Sequence, residues 1–138
     1  YRPFTENNAD AGFDANLNYN NNYRFYRVAE AYLNAAELLL ETGGDANLAK
    51  DYVNKIRNRA GVAQKTSVTV DDVIEERHLE FVGEGKRYFD LVRSGKAASV
   101  LTPDKYGYRT NSWTESKKYI PIAQAELDSD PALVQNDY

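Results

Sequence analysis

The segment YRFYRVAEAYLNAAELLLE, residues 23–41, carries a strong helical pattern. At about 100° per residue, its polar side chains fall on one stripe about 80° wide, and nearly all other positions are apolar. The stripe consists of Arg27, Glu30, Asn34, Glu37 and Glu41. A surface helix needs an apolar stripe only about 100° wide. We therefore predict a helix that protein covers on several sides, with Leu38 and Ala31 on a flank that this chain alone leaves exposed.

A second helix is predicted directly after the first. Gly43 and Gly44 end the first helix, as glycine ends many helices. Asp45 is a suitable N-cap for ANLAKDYVNKIRNRA, residues 46–60, which Gly61 closes. Arg59 falls on the inward arc of this helix together with its apolar residues.

A long third helix is predicted over DDVIEERHLEFVGEGKRYFDLVRSG, residues 71–95, with Gly83 and Gly85 as possible breaks. Thr69 and Asp72 form a capping-box pattern at its start. Arg77 and Glu84 lie within its apolar arc, which also includes Phe89. Buried charges need partners, so we expect Arg77 and Glu84 to be buried and hydrogen-bonded, with Arg59 as a candidate partner.

The remaining residues favour loops. Residues 1–22 are rich in Asn and Asp, which compete for backbone hydrogen bonds and favour turns. Residues 102–118 also lack helical periodicity, and IAQAEL at 122–127 fits a short helix. No segment alternates like a strand. The predicted fold is mostly α: a tetratricopeptide-like helical hairpin plus a long third helix, with a helical core at 23–101 and a loop and C-terminal tail at 102–138.

Composition excludes several classes of function. The 138 residues contain no cysteine, which excludes disulfides, zinc–thiolate sites and cysteine nucleophiles. The 21 acidic residues outnumber the 17 basic ones, which argues against nucleic acid as a partner. The chain lacks methionine and begins at Tyr1, so we expect it to be an incomplete region of a longer protein.

No catalytic constellation is recognisable. His78 is the only histidine, and the neighbouring glutamates recur at helical spacing, as on a solvated helix face. The segment from Gly83 to Lys86 resembles a phosphate loop, but Arg87 stands where Ser or Thr is required. We predict no catalytic residue, no metal site and no cofactor. A fragment of a glycoside hydrolase is a further interpretation, but the sequence contains no motif that supports it.

The loop at 102–118 has a composition that suits sugar binding. Apolar C–H faces of sugar rings stack on aromatic rings, while sugar hydroxyls need polar side chains. Tyr106, Tyr108 and Trp113 are accompanied by Asp104, Arg109 and Asn111. These three aromatic residues are the candidate carbohydrate-binding residues. The alternative is that they simply cover the helical core.

Five segments, in order, resemble the C-terminal part of the SusD/RagB family. The most specific is IEERHLEFVGEGKRYFDLVRSGK at 74–96, with a Glu-Arg pair, an aromatic, Glu-Gly, and then Arg, an aromatic, Asp-Leu and Arg. The others are RVAEAYLNAAELLLE at 27–41, VNKIRNRAGV at 53–62, KYIPIAQAEL at 118–127 and LVQNDY at 133–138. The resemblance extends from about Tyr23 to the end of the chain.

This resemblance implies a specific biology. SusD-like proteins are lipid-anchored on the outer face of the outer membrane, are not enzymes, and pass oligosaccharides to a TonB-dependent transporter. The chain would be the C-terminal scaffold of such a protein, and it would pack against the missing N-terminal part. The alternative is a tetratricopeptide-like protein-interaction module without sugar binding. Its support is the repeat-like spacing of Phe25, Val28, Ala29 and Tyr32.

Overall fold

A computed structural model describes residues 25–137. This part of the chain is helical and contains no β-strand, so the predicted mostly α class is confirmed. The loop predicted for residues 1–22 lies outside the described residues. The helices are α1 Val28–Glu41, α2 Ala46–Arg59, α3 Val70–Glu80, α4 Arg87–Arg93, α5 Ala97–Val100 and α6 Gln124–Ser129, with one turn of 3-10 helix at Glu115–Lys118.

The first two helices form a hairpin. Leu33 and Ala36 of α1 and Ala49 and Val53 of α2 are fully buried in the core cluster that the two helices share. Asp45 caps α2, since its Oδ1 accepts hydrogen bonds from the backbone N–H groups of the second and third residues of the helix, at 2.8 and 3.1 Å. The glycine pair and the predicted cap therefore set the hairpin connection.

The third helix packs on this hairpin and begins at the predicted capping box. The Thr69 hydroxyl accepts from the Asp72 N–H at 3.2 Å, and the Asp72 carboxylate accepts from the Thr69 N–H at 2.8 Å. Val73 and Phe81 are buried in the same core cluster as α1 and α2. This places α3 across the hairpin.

The predicted long third helix is two helices, α3 and α4, which are separated at Gly83 and Gly85. Gly83 and Gly85 have φ values of 80° and 72°, in the left-handed region that favours glycine. The interruption changes the rotational phase of the residues that follow. The prediction of an inward-facing Phe89 is therefore wrong: Phe89 is exposed, while Asp90 and Leu91 are buried.

Hydrogen bonds to backbone atoms tie the C-terminal residues to α5 and to one another. The Trp113 N–H donates to the Leu101 carbonyl at 3.1 Å, and the Gln135 side chain bonds both the N–H and the carbonyl of Ile122, at 3.0 and 2.9 Å. The short helix predicted at 122–127 occurs slightly later, as α6. None of the helices in residues 25–137 has the length and apolarity that a bilayer crossing requires.

Candidate functional site

The turn between α5 and the 3-10 helix presents a pair of tyrosines to solvent. Tyr106 is 71% exposed and Tyr108 is 91% exposed. Their ring centroids are 6.2 Å apart, and the ring planes are inclined by 41°. Lys105 places its Nζ 4.8 Å from the Tyr106 centroid. These two rings do not cover the helical core of the described residues. We name Tyr106 and Tyr108 the tyrosine pair.

Asp104 organises the turn that carries the tyrosine pair. Its Oδ1 accepts hydrogen bonds from the Tyr106 and Tyr108 N–H groups at 2.8 and 3.2 Å, and its Oδ2 accepts from the Arg109 N–H at 2.6 Å. Desolvation raises the pKa of Asp104, but these backbone hydrogen bonds outweigh it, so the pKa lies below its usual value. The Asp104 carboxylate thus holds the backbone N–H groups of both tyrosines and of the residue that follows them.

Arg109 attaches the turn to the helical body. Its backbone carbonyl accepts from the Asp104 N–H at 2.9 Å, and its Nη1 donates to the Val100 carbonyl, at the end of α5, at 3.1 Å. Gly107, with a φ of 79°, allows the sharp reversal between the two tyrosines. The pair is therefore held on a closed turn.

Trp113 differs from the other two candidates. It is partly buried, and its indole Nε1 is buried with no hydrogen-bond partner in the described residues. Its backbone N–H ties the loop to Leu101. The structure thus presents Tyr106 and Tyr108 together and gives Trp113 a position against the body of the domain.

A second polar feature lies between α1 and α4. Arg77 is buried, and its Nε donates to Asp90 Oδ1 at 2.9 Å. Its guanidinium also donates to Asn34 Oδ1 and lies 3.8 Å from a carboxylate oxygen of Glu30. Arg77 therefore occupies the buried, hydrogen-bonded environment that its helical position indicated.

Two glutamates of the polar stripe on α1 also take part in these buried ion pairs. Glu30 is buried and receives Lys86 Nζ at 3.1 Å. Glu37 is buried and pairs with Arg93, whose Nη2 also donates to Asp90 Oδ1 at 3.1 Å. The stripe thus faces the α3–α4 region, while Leu38 on the adjacent flank is 61% exposed and Ala31 is exposed, as predicted.

Glu84 and Arg59 do not match the sequence prediction in full. The Glu84 side chain is 34% exposed, and its carboxylate accepts from Arg27, with Nη2 at 2.8 Å. The Arg59 side chain is exposed rather than inward, because it extends from the last turn of α2 to Glu80, at 2.6 Å. Arg27 also bonds Glu80, so Arg59 and Glu84 belong to one chain of ion pairs without touching each other.

A groove of about 680 Å³ lies beside the ion pairs that Arg77 and Arg93 form with the acidic residues of α1 and α4. Buried carboxylates line it, and exposed Tyr26, Leu38 and Phe89 form its apolar part. Asp90 Oδ2 is buried and accepts no hydrogen bond from residues 25–137. We name this cavity the α1–α4 groove. The sequence placed Glu30 and Glu37 on the polar stripe of α1, but it did not predict that they would form one group of ion pairs with Asp90 and Arg93, although the seven-residue spacing of the glutamates and the three-residue spacing of Asp90 and Arg93 were visible signals.

The acidic and histidine side chains of the described residues do not cluster as metal ligands. No group of three or more His, Asp or Glu side chains between residues 25 and 137 could hold a metal ion. His78 is exposed on α3. The tyrosine pair and the α1–α4 groove are therefore the features that call for a functional explanation.

The SusD family model matches residues 1–138, the whole chain. The chain belongs to the SusD family. Among characterised SusD relatives, the starch-binding protein SusD of Bacteroides thetaiotaomicron is 34% identical over 120 residues, which cover 81% of this chain and 20% of that protein. The family match favours the SusD-like interpretation over the tetratricopeptide-like interaction module.

Solved SusD-like structures resemble the chain closely. Surface glycan-binding protein A from Bacteroides uniformis has 62% sequence identity and a TM-score of 0.83, over 99% of this chain and 31% of that one. Surface glycan-binding protein A from Bacteroides thetaiotaomicron in complex with laminarihexaose has 59% identity and a TM-score of 0.80, over 90% of this chain and 27% of that one. The chain spans less than a third of each of these proteins.

Proposed function

We propose that this chain is part of a SusD-like surface glycan-binding protein that captures glucan oligosaccharides. The observation that carries the proposal is the 59% identity to a surface glycan-binding protein A solved in complex with laminarihexaose, with a TM-score of 0.80. Exposed tyrosines on an ordered turn add support, because aromatic rings offer the apolar faces on which sugar rings stack. The protein is a binding protein without catalytic activity of its own.

The proposal extends to location and partner. A protein of this kind is lipid-anchored at the outer face of the outer membrane and passes its oligosaccharide to a TonB-dependent transporter. Family membership supports this part of the proposal. Co-purification of the full-length protein with a transporter of that class from membranes is the expected result. Its recovery without any such transporter would contradict this part.

Titration calorimetry of the full-length protein with laminarihexaose tests the binding function. We expect saturable heats with laminarihexaose and unchanged glycan length after prolonged incubation. Absence of binding to laminarihexaose and to other glucan oligosaccharides would overturn the function. Shortening of the glycan would overturn the assignment as a non-enzyme.

Within that protein, we propose that residues 25–137 act mainly as a structural scaffold for the remainder. Leu38 and Phe89 expose apolar surface beside the α1–α4 groove, and apolar surface of this kind is normally covered. Asp90 Oδ2 is buried without a donor, which a neighbouring segment can supply. The remaining two thirds or more of each similar protein is the occupant that fits best.

Two leucines of equal exposure test the scaffold role. Leu38 is 61% exposed and Leu79 is 60% exposed in the described chain. If the rest of the protein covers the α1–α4 groove, Leu38→Ser destabilises the full-length protein by about 2 kcal/mol, whereas Leu79→Ser changes its stability by less than about 0.5 kcal/mol. Equal small effects in urea unfolding would contradict the scaffold role.

A further inference from the structure

We propose that the tyrosine pair is a carbohydrate platform, and that Tyr108 is its principal stacking ring. The inference rests on the proposed function and adds the residues and the shape of the glycan. Tyr108 is 91% exposed, and its only ring neighbour in the described residues is Tyr106, so most of its ring surface is accessible. Tyr106 has the Lys105 ammonium 4.8 Å from its centroid, so part of its ring is already in contact. The two rings therefore contribute unequally.

The spacing of the two rings suits consecutive sugar units. Their centroids lie 6.2 Å apart, a separation comparable to the length of one pyranose unit. The apolar C–H face of a glucose ring packs against an aromatic face, as other apolar groups do, and the Tyr hydroxyl remains available for a sugar hydroxyl. Adjacent units of one oligosaccharide can thus contact adjacent rings.

The inclination of the rings indicates the shape of the glycan. The planes meet at 41°, so a flat ribbon cannot lie against both rings at once. A chain whose successive rings turn relative to one another can do so. β-1,3-Linked glucans curl in this way, whereas β-1,4-linked glucans form nearly flat ribbons. The platform is therefore suited to a curved β-glucan.

The turn lowers the entropic cost of binding. Asp104 bonds the backbone N–H groups of both tyrosines and of Arg109, at distances of 2.6–3.2 Å. Arg109 in turn anchors the turn to Val100. Side chains on a backbone that is already ordered lose less freedom on binding than those on a free loop. Asp104 is thus a positioning residue for the platform.

Substitutions in the full-length protein test the platform by titration calorimetry with laminarihexaose. We expect Tyr108→Ala to weaken the affinity about tenfold, Tyr106→Ala about threefold, and Tyr108→Phe less than about twofold, because stacking requires the ring more than the hydroxyl. Tyr119→Ala is the matched control, since Tyr119 is a tyrosine that is 61% exposed outside the turn, and it is expected to bind like the wild type.

Each outcome is decisive. An affinity of Tyr108→Ala within twofold of the wild type, in a protein that binds laminarihexaose, overturns the platform and leaves the proposed function intact. An equal loss for Tyr119→Ala overturns it as well. The same titration with cellohexaose tests the shape of the glycan. If Tyr108→Ala weakens the affinity for cellohexaose more than the affinity for laminarihexaose, the curved-glycan part of the proposal is wrong. A wild type that binds no glucan overturns both the function and the platform. Circular dichroism verifies that each variant is folded.

Discussion

Arg77 Nε on α3 donates to Asp90 Oδ1 on α4 across 2.9 Å, and both side chains are at most 5% exposed. The pair connects the two helices that Gly83 and Gly85 separate. Asp90 Oδ1 also accepts from Arg93, so one carboxylate oxygen receives two guanidinium groups. Buried charges are stable only with such partners, and the pair therefore fixes how α4 packs after the interruption.

Removing this arginine tests the importance of the pair. Arg77→Ala leaves Asp90 with a weaker set of donors in a buried position, and we expect it to lower the free energy of unfolding by about 3–5 kcal/mol. Urea unfolding of the full-length protein measures the change. Glu75→Ala on the exposed side of α3 is the control and is expected to change stability by less than about 0.5 kcal/mol. Similar values for both variants would refute the prediction.

The loss of stability expected for Glu84→Ala is intermediate between those expected for Glu75→Ala and Arg77→Ala. A hydrogen bond from Arg27 lowers the pKa of the partly exposed Glu84 carboxyl, despite opposing desolvation. Because solvent screens the pair, we expect Glu84→Ala to cost only about 0.5–1 kcal/mol, more than Glu75→Ala and much less than Arg77→Ala. A double-mutant cycle of Arg27→Ala and Glu84→Ala measures the coupling energy. A coupling energy of zero would show that the contact contributes nothing.

The glycine break between α3 and α4 depends on backbone conformation. Gly83 has a φ of 80°, and a Cβ placed there would meet no atom within 4 Å. Gly83→Ala is therefore expected to cost about 1–2 kcal/mol through the left-handed backbone alone. Gly83→Asn should cost less, because Asn adopts this conformation more readily. The stabilities of the two variants are compared by thermal unfolding. Equal melting temperatures for Gly83→Ala and Gly83→Asn would contradict this account.

The capping box of α3 makes stability depend on pH. Hydrogen bonds from Lys65 and from the Thr69 side chain and backbone lower the pKa of Asp72 to about 2. The unfolded value is about 3.9, so the stabilisation is present above about pH 4 and is lost as the pH falls towards 2.

We expect Asp72→Asn to cost about 1 kcal/mol at pH 7 and much less at pH 2, as measured by urea unfolding at each pH. Asp71→Asn alters an exposed carboxylate beside it and is the control. An Asp72→Asn cost that is the same at both pH values would contradict the role of the ionised carboxylate.

Helix boundaries were predictable because their causes are local. The Asp45 cap, the Thr69–Asp72 capping box and the terminating glycines act over a few residues, and each was visible in the sequence. The exposure of Leu38 was also predictable, since a narrow polar stripe leaves more apolar surface than the helices of this chain can cover. Family membership followed from motifs spread along the chain.

Tertiary structure decided the orientation of α4 and the partners of the charged residues. The glycine interruption changed the phase of α4 and exposed Phe89, which a continuous helical wheel placed inward. The stripe on α1 proved to be an interface because Glu30 and Glu37 meet basic residues 47 to 56 positions away, a pairing that no local pattern encodes. Likewise, the sequence supplied three candidate aromatics, but only the folded turn of Asp104 brought Tyr106 and Tyr108 together in solvent and left Trp113 against the body. Capping and helix termination depend on neighbouring residues, whereas burial and ion pairing depend on how distant segments pack.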